Sequence, residues 1–412
     1  MRPLLFLALI NLAACGPPNA AAPGELVKSS KARVTEDAPE ADQRQAVDDT
    51  TAFALDVFRQ LPRTADNLAF SPWSVTTALS MTYPGARGAT QAAFETVLHQ
   101  SLPPDRFHRA MNTLGRTLDA GNRPFKLRSN NQVFAQQGMT VVPTFLDVLA
   151  EEYGAGVRLL DFATEPEPSR LAINAWIDTN TEHLISGLLP RGTITTDTRL
   201  ALVNTLYFKA AWKTPFEHAR TANGPFTLDD GTQAQVPMMA AEDLEVRRAV
   251  VDGVLALELP YRGDDVALLL LVPPVGTLDA LEHDLDPGML RGYVDALQDV
   301  TLAVRMPKFE ARTQVSLGDV LTALGLGVAF SGDADFTGLS EDEALAITSV
   351  RHEAVVKTDE AGTEAAAATA VIIGRVSLPR YVEVDRPFLY LVRHRTTGVV
   401  LFVGRIMRPE TP

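Results

Sequence analysis

The spacing of apolar positions divides the chain into an earlier part rich in helical patterns and a later part dominated by strands. Between 170 and 185, Leu171, Ile173, Ile177 and Leu184 recur at helical spacing, which gathers them towards one face of a helix. Further upstream, Ser71-Pro72 predicts a helix start. Serine caps the first free amides, and proline is tolerated in the first turn, where its missing N–H is not needed. The runs 200–208, 255–260, 266–272, 301–306 and 346–358 read as strands. Arg395-Thr396-Thr397-Gly398 separates the apolar runs 388–392 and 399–403 and predicts a hairpin turn. Together these elements describe an α+β chain with large antiparallel or mixed sheets.

One stretch fits two conformations. Residues 360–371 read Glu360-Ala361-Gly362-Thr363-Glu364-Ala365-Ala366-Ala367-Ala368-Thr369-Ala370-Val371. Such small side chains suit an exposed, extended loop, and they also suit the narrow space between two existing strands. Because strand side chains alternate faces, Thr363, Ala365, Ala367, Thr369 and Val371 would share one face, and Glu364, Ala366, Ala368 and Ala370 the other. The one charge after Gly362 then points outward, as a half-buried strand requires. Gly362 supplies the backbone freedom of a hinge. Taken alone, an alanine-rich stretch favours helix or a plain linker.

Motifs spread over nearly all of residues 48–410 bear on that stretch. They are Asn67-Leu68-Ala69-Phe70-Ser71-Pro72-Trp73-Ser74 with Ala78-Leu79-Ser80-Met81 and Gly85-Ala86-Arg87-Gly88-Ala89-Thr90; Asn174-Ala175-Trp176-Ile177 with Leu188-Leu189-Pro190; Val203-Asn204-Thr205-Leu206-Tyr207-Phe208-Lys209 with Trp212 and Pro215-Phe216; and Arg386-Pro387-Phe388 with Phe402-Val403-Gly404-Arg405. Together with the small-residue stretch, these resemble the serpins, inhibitors that work by inserting a loop into a sheet. In turn they are similar to the family's early helix and following loop, its central helix-to-loop signature, its central strand and its closing strands. One departure is local: Val382-Glu383-Val384-Asp385 lacks the family's phenylalanine.

The resemblance implies a serpin fold of three β-sheets, about nine helices and an exposed reactive-centre loop, acting as a monomer without a cofactor. It also implies a polar group formed by His352, Asn204, Ser71 and Ser74 beneath the point where the central sheet opens. Glu360 and Lys308 match an ion pair near Trp212, where insertion begins. By spacing between Thr363 and Pro387, the family's reactive bond falls at Val376-Ser377, which suits an elastase-like serine protease. One residue of register change moves it to Arg375-Val376 and favours trypsin-like targets. Residues 363–371 contain no proline and no bulky or charged inward side chain, which favours inhibition over a non-inhibitory binding module or chaperone, or a plain protease decoy.

The N-terminus adds an address. Arg2 precedes an apolar run over 4–10, and Leu12-Ala13-Ala14-Cys15-Gly16 comes directly after it, resembling a bacterial lipoprotein signal. Residues 1–14 then form the signal peptide and Cys15 carries the lipid, anchoring the exported chain in the cell envelope, at the outer membrane or cell surface. As the only cysteine in the sequence, Cys15 leaves no intrachain disulfide. Residues 15–47, rich in Ala, Pro and charge, read as a flexible tether before a domain spanning 48–412. The formal net charge of −14 argues against nucleic acid as a partner. Arg106, Arg109, Arg116, Arg123, Lys126 and Arg128 cluster where some serpins bind polyanions, but acidic and apolar residues interrupt them, so a solvated surface is the better expectation. No nucleophile elbow, phosphate loop or zinc-ligand pattern appears, so nothing argues for an enzyme or for a bound metal.

Overall fold

The computed structural model describes residues 20–61, 67–119, 123–342, 344–363 and 381–410. The leader with Cys15, the hinge residues Glu364, Ala365, Ala366, Ala367, Ala368 and Thr369, and the Val376-Ser377 bond with its rival Arg375 lie outside the described residues. The first part of the chain comprises β1 (Glu25–Val27), α1 (Glu40–Gln60), β2 (Leu68–Phe70), α2 (Pro72–Thr82), α3 (Gly88–Val97), α4 (Pro104–Asp119), β3 (Phe125–Gln136), α5 (Pro143–Tyr153), β4 (Val157–Leu160) and α6 (Pro166–Asn180). The second comprises β5 (Leu200–Ala211), β6 (Ala222–Thr227), β7 (Gln233–Val251), β8 (Val254–Pro260), β9 (Val266–Val272), α7 (Leu278–Asp284), α8 (Pro287–Ala296), β10 (Gln298–Pro307), β11 (Phe309–Ser316) and α9 (Gly318–Leu321). It closes with β12 (Ser349–Thr358), β13 (Gly362–Thr363), β14 (Tyr381–Glu383), β15 (Phe388–His394) and β16 (Val400–Ile406).

Seven strands form one sheet in the order β1-β4-β3-β5-β13-β12-β11, with β5 and β12 also paired directly. The other nine strands form two smaller sheets joined through the long β7, which pairs with β6 over residues 233–238, with β10 over 238–248 and with β8 over 247–251. β8, β9, β15 and β16 are buried almost throughout, so they read as continuous apolar runs rather than alternating ones. Ser71 starts α2 as the sequence predicts: its Oγ accepts the Ser74 N–H at 3.4 Å, and Pro72 opens the first turn. Trp176 of α6 packs edge-on against Phe134 of β3, and Ile173, Trp176 and Ile177 share one apolar cluster with Phe134, Val203 of β5 and Val355 of β12, so α6 covers the face of the sheet on which β5 and β12 meet.

Two expectations need correction. The helix expected over 170–185 ends at Asn180, because Thr181 turns its Oγ to the Ile185 N–H (3.1 Å) and Glu182 and His183 adopt positive φ. The flexible tether expected over 15–47 is not what the described part of that stretch forms. β1 pairs antiparallel with β4, and residues 40–47 are the first two turns of α1. Polar composition concealed this, because the contacts of residues 20–39 run largely through backbone groups.

Candidate functional site

The seven-stranded sheet carries a slot at one end. β5 and β12 run parallel and pair over Ser349–Glu353 against Ala201–Thr205, then diverge. In the widened end sits β13, antiparallel to both neighbours, with Thr363 opposite Ala210 of β5 and Thr358 of β12. The approach is close. A Cβ on Gly362 would lie 2.1 Å from the Ala210 carbonyl oxygen, and its φ is +150°, so only glycine fits there. Thr363 is 2% exposed. Its hydroxyl lies 2.6 Å from the Tyr261 hydroxyl and 3.4 Å from that of Thr358.

Residues 359–361 turn around Trp212. The Trp212 indole N–H donates to the Asp359 carbonyl at 2.9 Å, and its backbone N–H to the Ala361 carbonyl at 3.0 Å. The indole stacks on Tyr261 with ring centres 4.6 Å apart and planes 4° from parallel. The Asp359 carboxylate accepts the Ala361 and Gly362 amides, closing the turn that aims β13 into the slot. Glu360, 2% exposed, pairs with Lys308 at 3.0 Å and accepts the Thr221 hydroxyl at 2.7 Å. Burial pushes its pKa up, but the Thr221 and Lys308 hydrogen bonds outweigh burial and hold it below the ordinary glutamate value.

Where β5 and β12 are closed, a second polar group bridges them. His352 is fully buried. Its Nε2 accepts the Ser71 N–H at 3.1 Å, which leaves Nδ1 to donate to Asn204 Oδ1 at 2.8 Å. Burial lowers the imidazole pKa to about 3, so the ring is neutral and this tautomer is the one its partners require. Ser74 stands one step away, donating its hydroxyl to Asn131 Oδ1 at 3.1 Å. Asn204 Nδ2 has no hydrogen-bond partner among the described residues. The structure thus brings His352, Asn204, Ser71 and Ser74 together, and Glu360, Lys308 and Trp212 likewise. The Ser71 and Ser74 hydroxyls serve the helix cap and Asn131 rather than the imidazole. Tyr261, Asp359 and Thr221 were not singled out in the sequence; Tyr261, ending an apolar strand after Pro260, gave the one available hint.

A model of the family described as "Serpin (serine protease inhibitor)" matches residues 48–409. The chain belongs to the serpin family. An uncharacterised serpin-like protein of Thermococcus kodakarensis is 33% identical, with 90% of this chain and 87% of that protein covered. Mouse antithrombin-III is 35% identical over 84% of this serpin and 77% of the relative, and bovine leukocyte elastase inhibitor 33% identical over 87% and 98%. Among solved structures, human thyroxine-binding globulin in complex with its hormone superposes with a TM-score of 0.81 at 28% identity, covering 90% of this chain and all of that one. Uncleaved ovalbumin gives 0.80 at 25% identity, covering 88% of this chain and all of that one. The serpin fold and family expected from the sequence are therefore established, and the inhibitor relatives support protease inhibition in general.

The basic cluster of this serpin is largely committed internally. Arg106 pairs with Asp42, Arg109 with Glu152, Arg116 with Asp37, and Lys126 and Arg128 with Glu182. Each side chain held this way offers less to a polyanion.

Proposed function

We propose that this serpin is a single-use covalent inhibitor of serine proteases, cleaved after Val376 by an elastase-like target. The observation that carries this reading is β13: two residues of the small-residue stretch already sit between β5 and β12, in a register that the remainder can continue. Counting on from Thr363 opposite Ala210 and Thr358, an inserted strand would bring Thr369 between Asn204 and His352. Its side chain would fall on the same face as theirs. Entry to that depth separates the first two of the five β5–β12 pairs, Glu353–Thr205 and His352–Asn204, breaks the Asn204–His352 hydrogen bond, and offers the Thr369 hydroxyl to the unpartnered Asn204 amide.

The chemistry belongs to the protease. Its serine oxygen attacks the Val376 carbonyl carbon, the Val376-Ser377 amide bond breaks, and the Ser377 amine leaves with the proton that the protease histidine took from the serine. The product is an ester between protease and Val376, which ordinarily hydrolyses. Here the freed segment from Thr363 enters the sheet, gains two ladders of backbone hydrogen bonds, and draws the tethered protease with it before hydrolysis. Val376 suits a small aliphatic specificity pocket; cleavage after Arg375 would instead assign trypsin-like targets. The same proposal places the mature chain as a monomer held to the bacterial envelope through lipid on Cys15.

The test uses the chain from residue 20, mixed separately with an elastase-like and a trypsin-like protease and resolved by denaturing gel and intact mass. A band at the summed mass with a released peptide beginning at Ser377 is the expected result. A peptide beginning at Val376 moves the bond to Arg375. Clean cleavage by both enzymes without a covalent complex rejects inhibition.

A further inference from the structure

Residues 20–39 precede the segment matched by the family model, which begins at residue 48, yet they cross a large part of the molecule. At one end the Ala20 N–H donates to Asn180 Oδ1 at 2.7 Å, and the Ala20 carbonyl accepts both Asn180 Nδ2 and the Trp176 indole N–H at 3.0 Å. Those partners are on α6. Next, β1 extends the seven-stranded sheet beyond β4, and the Gly24 carbonyl accepts Arg158 at 3.0 Å. The chain then crosses α5, with Ser29 donating to Asp147 at 2.6 Å and the Val34 N–H to the Glu151 carbonyl at 2.8 Å. It ends on α4: Arg33 donates to Asn112 at 2.9 Å, Asn112 donates back to the Val34 carbonyl at 2.9 Å, and the Ala38 N–H reaches Thr113 at 2.8 Å. From there it enters α1, which packs against α4, α2 and β16.

The path joins two bodies that strand insertion would move apart. Adding a strand between β5 and β12 widens the sheet by about 4.8 Å, shifting β1, β4, β3 and β5 against β12 and β11. α6 packs on β3 through Trp176 and Phe134 and shares one apolar cluster with Val203 of β5 and Val355 of β12, so a shift of β3 and β5 against β12 must shift it as well. The segment is bonded to α6 and β4 on the side that moves, and through α4 and α1 to the helices packed on the smaller sheets. We propose that residues 20–39 are a strap that restrains opening of the β5–β12 seam, so that freeing the strap loosens α6 and the seam together. This inference rests on the identification of that seam as the place where a strand enters, but its test needs no protease.

Gly156 gives access to the strap without altering it. A Cβ there would lie 2.5 Å from the Val27 carbonyl oxygen, so Gly156→Val pushes β1 away from β4. The double variant Ser29→Ala, Arg33→Ala weakens the strap from its own side and leaves β4 intact, which keeps the test available should Gly156→Val fail to fold. Amide hydrogen exchange on the full chain reads both events. Faster exchange of residues 25–27 reports strap release. Exchange about tenfold faster in α6, 201–205 and 349–353, as loss of one or two hydrogen bonds predicts, supports the restraint. Strap release with wild-type protection at the seam overturns it. So does unchanged protection of 25–27 in both variants, since the named contacts would then not be what holds the strap. Failure to trap a protease, with exchange changed as expected, would reject covalent inhibition and leave the strap standing.

Discussion

His352 offers the sharpest quantitative test, because both ring nitrogens are used and the side chain is fully buried. His352→Ala leaves the Ser71 N–H and Asn204 Oδ1 without partners. An unsatisfied buried group costs about 1–3 kcal/mol, and two of them give about 4 kcal/mol. The lost edge-on contact with Phe70, at 5.2 Å between ring centres, adds to this. In a chain of this size, 4 kcal/mol lowers the melting temperature by about 5 °C. Guanidinium unfolding monitored by two spectroscopic probes would measure the loss, with coincident transitions required before a free energy is assigned. The loop-cleaved protein supplies a second reading. If the inserted strand brings Thr369 to Asn204, only the Ser71 amide is stranded, and the penalty falls to about half. A loss below about 1 kcal/mol in the intact chain would refute the hydrogen-bond account, and equal losses in both forms would refute the placement of Thr369.

Other consequences are equally direct. Thr363→Arg puts a charge where the side chain is 2% exposed, a cost of several kcal/mol that expels β13; the variant should be cleaved by proteases with at least tenfold less covalent complex on a denaturing gel, and undiminished complex would reject entry at this point. Lys308→Ala removes the ammonium that pairs with the buried Glu360 carboxylate and leaves it the Thr221 hydroxyl and the His218 ring; it should cost about 1–3 kcal/mol and should raise the Glu360 pKa, measurable by chemical denaturation at pH 7 and by NMR titration. His352, His108 and His394 have pKa values lowered to about 3, 4 and 4, with burial the leading cause in each. The unfolded chain takes up these protons near pH 6.5 while the folded chain does not, so this stability is complete above pH 6.5 and is lost as pH falls towards 4. The slope reaches about 1.4 kcal/mol per pH unit for each imidazole; denaturation midpoints that stay constant from pH 6.5 to 5 would contradict it.

The strands that sequence patterning located are those where β-branched and leucine side chains face a core on both sides, as in β8 and β9. β3 carries no such signal, because Ser129, Asn130, Asn131 and Gln132 interrupt its apolar pattern with four consecutive polar residues. Asn130 in fact donates to Thr205 on the neighbouring strand at 3.1 Å, and Gln132 to the Gly156 carbonyl at 2.9 Å. The Glu360, Lys308 and Trp212 cluster and the His352 group were legible only through resemblance, since residues 281 positions apart, such as Ser71 and His352, carry no local pattern that joins them. Tyr261 acts through one hydroxyl and a stacked ring, Thr221 through one hydroxyl, and the strap largely through carbonyls and amides that every residue possesses. Composition reports none of these, which is why residues 20–47 read as a tether.

Gly362 and Thr363 also bear on kinetics. Starting a strand from solution requires a search over registers, and a slip of one residue exchanges the two faces of every later position. Here the first residue pair is fixed: Thr363 is held by Tyr261, and a one-residue slip would drive the Glu364 carboxylate towards that buried hydroxyl. Under the proposed mechanism, nucleation would be complete before any bond is cut. Cleavage would leave only propagation, with five strand pairs opening in sequence from Glu353 towards Ser349, so the rate of trapping should track the unzipping of β5 from β12 and be nearly indifferent to the length of chain beyond the cut.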